Sequence, residues 1–338
     1  MGKIQARRCA ASVALLALAA CGGGGGSDPT PQAAATPTPV TSTPPSPSAP
    51  SVAAGSTAGV LCAYSTSQVN TSPSVNAQST SAWTCNTASR LLSGNGLPDH
   101  AVGTFPNPDN PNAIRAQTVS ATYTLTPAVT SAMGTFAVTI GHALNGIKIE
   151  PDTGGTCDNT GTNCTQIGGS GTWRMEALGQ TAFRFGTDAS NAHVQPTGVY
   201  HYHGLPEGFI SKLGKGTAMT LIGWAADGFP IYARHGHSSA QDASSAPKAL
   251  TSSYRKKAMP DANRPAVTLY AMGTFKQDWE YVAGLGDLDE CNGRSGVTPE
   301  FPAGIYHYMA TESYPYMPRC LKGTVAGGGG GGPPPPGG

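Results

Sequence analysis

The chain has 338 residues, of which 12% are charged, and its net charge at pH 7 is +1. A typical domain carries about 25% charged residues, so no basic stripe is on hand for nucleic acid or for an anionic lipid surface. The length between its low-complexity ends suffices for one large domain with a substantial core.

Residues 1–21 read as a lipoprotein signal. Lys3, Arg7 and Arg8 form a charged start, Ala10 to Ala20 is a short apolar run, and Leu18-Ala19-Ala20-Cys21 is a small-residue cleavage site ending in cysteine. Cleavage before Cys21 is expected to leave that cysteine lipidated, so the chain is tethered to a membrane that it does not span. Gly22 in place of an aspartate directs the expectation to the outer membrane of a bacterial cell envelope. Residues 22–57 are Gly, Pro, Thr, Ser and Ala with almost no large apolar side chain, a composition that cannot offset its ordering entropy and predicts a spacer. Residues 326–338 read as a Gly/Pro tail. The domain is therefore expected over 58–325.

Eight cysteines fall to six once Cys9 and Cys21 are set aside. An even count in an exported chain predicts disulfides, and the grouping favours Cys62 with Cys85, Cys157 with Cys164, and Cys291 with Cys320, because short loops close at lower entropic cost. The rival reading, a cysteine metal site, has no CxxC pair to support it.

Short β-type runs bounded by Gly, Pro, Asn and Asp predict strands near 118–126, 134–140, 182–185, 218–223, 230–233 and 304–311. Helical spacing is confined to short stretches near 87–92 and 252–257. The expected fold is mainly β, an antiparallel sandwich or barrel-like domain with few short helices, stapled by disulfides.

The densest chemistry lies at 191–204. His193-Val194-Gln195 reads as a strand end, Pro196-Thr197-Gly198 as a three-residue turn closed by a left-handed glycine, and Val199 to His203 as the return strand. That register sets His193 opposite His201, and the two-residue period of a strand adds His203 to the same face while Tyr200 and Tyr202 point away. A two-residue loop would instead break the cluster. Three imidazoles suit zinc with an open position or, with a thioether, copper; the alternative is a set of hydrogen-bonded core histidines. The hexapeptide Gly198-Val199-Tyr200-His201-Tyr202-His203 nearly recurs as Gly304-Ile305-Tyr306-His307-Tyr308-Met309. His100, His307 or a carboxylate is the expected fourth ligand. His142, His235 and His237 read as structural or solvated.

A second constellation, Asp287-Leu288-Asp289-Glu290-Cys291-Asn292-Gly293-Arg294, offers oxygen ligands of the kind calcium takes. The same carboxylates, with Asp227, could act as acid or base beside a metal or simply satisfy turn amides.

Several long segments in the same order resemble the YHYH-domain proteins: Leu97 to His100 with Phe105-Pro106-Asn107, Asn191 to Pro206, Leu221 to Tyr232, Ser252 to Arg255, Asp278 to Arg294 and Thr298 to Pro302. The resemblance covers roughly 97–323. It implies an exported, mainly β protein, in a family for which no activity is settled, and it marks His100, His193, His201, His203, Asp227, Asp287, Asp289 and Glu290 as family positions. Three functions stay open: a lipid-anchored module binding copper or zinc; a metal-dependent hydrolase or oxidoreductase pairing the histidines with a carboxylate; and a structural or ligand-binding β domain with core histidines. No nucleophile elbow, HExxH or phosphate loop is present to support a common enzyme class.

Overall fold

The computed structural model describes residues 55–130 and 139–325. The signal segment with Cys21, most of the spacer, the Gly/Pro tail and most of the strand expected over 134–140 lie outside the described residues. The expected class is observed: 31% of the described residues are strand and 4% helix, in mostly antiparallel sheets with a curled half-barrel. All three disulfides form in the sequential pairing, Cys62–Cys85, Cys157–Cys164 and Cys291–Cys320. Among the described residues no helix is long and apolar enough to cross a membrane.

The first sheet is an antiparallel meander of Ser65–Asn70, Ala77–Cys85, Ser89–Gly94 and Val119–Thr124. Alternation along its second strand buries Ser79, Ser81 and Trp83. Ser81 Oγ and Trp83 Nε1 both donate to the Leu144 carbonyl at 2.8 Å, and the Arg90 guanidinium lies 3.4 Å above the Trp224 ring. These contacts fasten the meander to the second sheet and satisfy the buried Ser81 hydroxyl and Trp83 indole.

The second sheet has eight strands in the order Ala192–Val194, Tyr200–Tyr202, Lys148–Ile149, Gly141–Ala143, Thr220–Ala225, Pro230–Ala233, Ile305–Ala310 and Gly293–Gly296. Neighbours are antiparallel except Tyr200–Tyr202 beside Lys148–Ile149 and Pro230–Ala233 beside Ile305–Ala310, which are parallel. The order is the same read inward from either edge. Each half begins with a central hairpin, leaves the sheet, and returns with an outer hairpin whose second strand runs parallel to the second strand of the central one. The sheet is thus two copies of one four-strand unit, joined where Trp224 pairs with His142.

The copies are visible in sequence. Ile140-Gly141-His142-Ala143-Leu144-Asn145-Gly146-Ile147-Lys148-Ile149 corresponds to Ile222-Gly223-Trp224-Ala225-Ala226-Asp227-Gly228-Phe229-Pro230-Ile231. Gly146 and Gly228 both have positive φ, 79° and 87°, as a tight hairpin turn requires. At the junction a methyl on Gly141 would collide with the Trp224 carbonyl oxygen, and one on Gly223 with that of His142. The two glycines therefore let the copies approach across the middle of the sheet.

Three local expectations differ from the structure. The segments near 87–92 and 252–257 are strands, Ser89–Gly94 and Tyr254–Lys256, because cross-strand partners outweigh a helical spacing that short. Residues 182–185 form no strand; Phe183 and Phe185 instead pack in a small second core with Trp173, Met175 and Phe275. The one α-helix among the described residues, Glu207–Leu213, buries Phe209 and ends at Gly214 in the left-handed conformation.

Candidate metal centre

The turn after Gln195 is the one the residues dictate. Gly198 adopts φ +91°, the Gln195 amide donates to the Val199 carbonyl at 2.9 Å, and His193 pairs directly with His201. His203 follows on the same face. The three ring centroids are 4.6 to 4.7 Å apart, and one ligand atom from each ring lies within 4.8 Å of the others. Among the described residues this is the one group of three or more histidine, cysteine or acidic side chains placed to hold a metal ion.

The rings are oriented by the backbone. His193 Nδ1 lies 2.7 Å from the Phe185 carbonyl and His201 Nδ1 lies 3.2 Å from that of Val199. A neutral imidazole donating from Nδ1 carries its lone pair on Nε2, the arrangement by which metal-ligating histidines are usually held. Between His193 and His203 the two Nε2 atoms are 3.0 Å apart, so the proton in that contact belongs to His203. His203 Nδ1 is then a buried acceptor without a hydrogen-bond partner.

Electrostatics keep all three rings neutral. Burial lowers the pKa of His193. Burial, reinforced by the neighbouring histidines and by Lys148, pushes His201 and His203 well below the ordinary value, with Arg319 adding to the effect on His203. Desolvation disfavours the imidazolium and the rings repel one another when charged. His201 and His203 are almost fully buried, whereas His193 is half-buried.

The other expected ligands lie elsewhere. His100 Nε2 bonds to the Tyr202 hydroxyl at 2.6 Å, on the opposite face of the strand from His201, and its Nδ1 bonds to the Ala101 carbonyl. His307 occupies the far half of the sheet, with Nδ1 3.1 Å from the Ile305 carbonyl and the Tyr232 ring against it. Neither joins the cluster. His142 is half-buried, with Nδ1 2.6 Å from Tyr123 Oη, and desolvation takes its pKa down to about 4.

The acidic residues also have local partners rather than a common centre. Asp227 accepts from Tyr308 Oη at 2.6 Å and from the Gly323 amide at 2.9 Å. Asp287 pairs with Lys248 and bonds Thr251. Asp289 caps the amides of Cys291 and Gly293 and accepts from Tyr306 Oη, and Glu290 pairs with Lys322. The turn reading of the acidic loop accounts for these bonds; no converging oxygen set forms there among the described residues.

Sequence reasoning passed over the supports of the cluster. Lys148 sits in register with His201 on the adjoining strand and is bound by Glu150 at 2.5 Å and Gln195 at 3.1 Å. Asp188 fixes the hairpin by accepting from Tyr200 Oη at 2.8 Å and from the Ser190 amide at 2.9 Å. The signal that finds Asp188 is its place in the segment Asp188-Ala189-Ser190-Asn191, which parallels Asp289-Glu290-Cys291-Asn292 before the other outer hairpin.

No curated protein and no solved structure shows a significant match to the chain. The sequence model described as YHYH protein matches residues 118–323. That span takes in both copies of the four-strand unit and both Tyr-His-Tyr strands. The chain belongs to the YHYH protein family.

Proposed function

We propose that this is a lipid-anchored protein of the cell envelope whose task rests on one transition-metal ion bound by His193, His201 and His203, with zinc or copper as the ion. The observation that carries the reading is three neutral imidazoles with ligand atoms within 4.8 Å of one another, two of them turned by backbone carbonyls so that Nε2 carries the lone pair. All-nitrogen donation of this kind suits zinc and copper and does not suit calcium or magnesium.

The buried, unpartnered Nδ1 of His203 supports the same reading. Binding would move the His203 proton from Nε2 to Nδ1, on a ring where the Pro151 carbonyl is the group that favours a proton. An imidazole–imidazole hydrogen bond would thereby be exchanged for a complete ligand set. Core histidines kept only for packing have no need of a shared focus for three rings.

The test is elemental analysis of the purified protein, with zinc and copper titrations of the metal-free form. Near-stoichiometric metal that is lost in His201→Ala supports the assignment. A wild-type protein that takes up neither ion sinks it.

A further inference from the structure

The two copies of the four-strand unit agree at the level of individual bonds. Asn191 and Asn292, just before the outer hairpins, share positive φ values of 53° and 60°. Their amides accept the same geometry, donating to the Asp188 and Asp289 carbonyls at 3.0 Å. Asp188 receives Tyr200 Oη as Asp289 receives Tyr306 Oη. Asn145 bonds Tyr202 Oη at 3.0 Å, and its counterpart Asp227 receives Tyr308 Oη. Gly198 and Gly304, which open the two Tyr-His-Tyr strands, have φ of 91° and 89°.

The equivalence extends to the metal-ligand face. His201 and His307 orient Nδ1 alike, toward the Val199 and Ile305 carbonyls at 3.2 and 3.1 Å. His193 faces His201, and Arg294 faces His307 in the same register. His203 corresponds to Met309. We propose that Arg294, His307 and Met309 are a second copy of the histidine site, in which the Arg294 guanidinium stands in place of a bound cation.

Two orphaned atoms mark the position. His307 Nε2, the atom that corresponds to the bare Nε2 of His201, is buried without a hydrogen-bond partner, and so is Arg294 Nε. Arg294 is held by its Nη2 donating to the His237 carbonyl at 2.7 Å. A fixed positive charge beside His307 excludes a metal ion by repulsion, and Met309, fully buried, supplies no nitrogen. One copy therefore binds and the other is closed, so the native chain takes one ion.

The proposal shares with the functional reading the assumption that such a face binds metal, but it is tested separately. Full-length Arg294→His with Met309→His is purified, its fold checked by near-ultraviolet circular dichroism, and dialysed against zinc alone. Bound zinc per chain should rise from one to two. Zinc remaining at one in a folded variant overturns the equivalence, as does wild-type protein that already binds two. Zero in the wild type with one in the variant supports the second copy while refuting the functional reading; zero in both refutes both. Should that variant not fold, His193→Arg with His203→Met transplants the closed set into the first copy. It should fold like wild type and bind no zinc; its failure to fold, or retained zinc, counts against equivalence.

Discussion

His142 and Trp224 are partners across the central antiparallel pair of the large sheet and also equivalent positions of its two copies. A residue that pairs with its own counterpart lies on the local two-fold axis. The histidine triad and the Arg294–His307–Met309 set consequently lie in opposite halves, and no histidine of one can complete the other.

The junction depends on two glycines. Gly223→Ala should place a methyl against the His142 carbonyl and separate the central strands, a loss of about 3 kcal/mol in unfolding free energy as overpacking in a rigid site costs. Gly141→Ala should do the same against Trp224. Denaturant unfolding measures both, and a loss below about 0.5 kcal/mol for either would refute the close approach.

Ligation and packing can be separated on one strand. His201→Ala should abolish metal binding, whereas Tyr202→Phe should leave the stoichiometry intact. The latter removes bonds to His100 and Asn145 and should lower stability by about 1 to 3 kcal/mol, the range for a lost buried partner. Loss of metal in both variants, or in neither, contradicts the face assignment.

The pH dependence follows from burial. His142, His193, His201, His203 and His307 have pKa values below the unfolded value of about 6.5. The unfolded chain binds more protons than the folded one, so the contribution of these histidines to metal-free stability is full above pH 6.5 and is lost as pH falls below it, through about 4 for His142 and about 3 for His307. The unperturbed value would place the decline of metal affinity around pH 6.5; the depressed values place it lower. Zinc affinity should be nearly flat from pH 8 to 6.5 and fall only beneath that. A steep loss between pH 7.5 and 6.5 would show ordinary, solvated histidines.

The Cys291–Cys320 bridge holds the turn of Asp289 and Glu290 near Lys322, which pairs with both. Replacing both cysteines by serine should lower stability by about 2 to 5 kcal/mol. Because the bridge lies in the second half, zinc stoichiometry at the triad should not change. Thermal unfolding and elemental analysis report the two effects independently.

Lipid attachment is tested at Cys21. Cys21→Ser should yield an unlipidated protein recovered in the soluble fraction, and retention in the membrane would exclude that residue as the anchor.

Local sequence determined the triad. Pro196-Thr197-Gly198 sets the hairpin register and strand alternation does the rest, so His193, His201 and His203 converge without any long-range contact. The disulfide pairing and the β class were legible for similar reasons, since loop closure and turn residues act over short distances. Only the tertiary structure decided the rest. Whether His100 or His307 reaches the cluster depends on which strands become neighbours, and no local rule sets that. The duplicated unit was written in Ile140 to Ile149 and Ile222 to Ile231, but its consequence needed the sheet. Pairing about His142 and Trp224 puts the two Tyr-His-Tyr strands in opposite halves, where Arg294 rather than a counterpart of His193 faces His307.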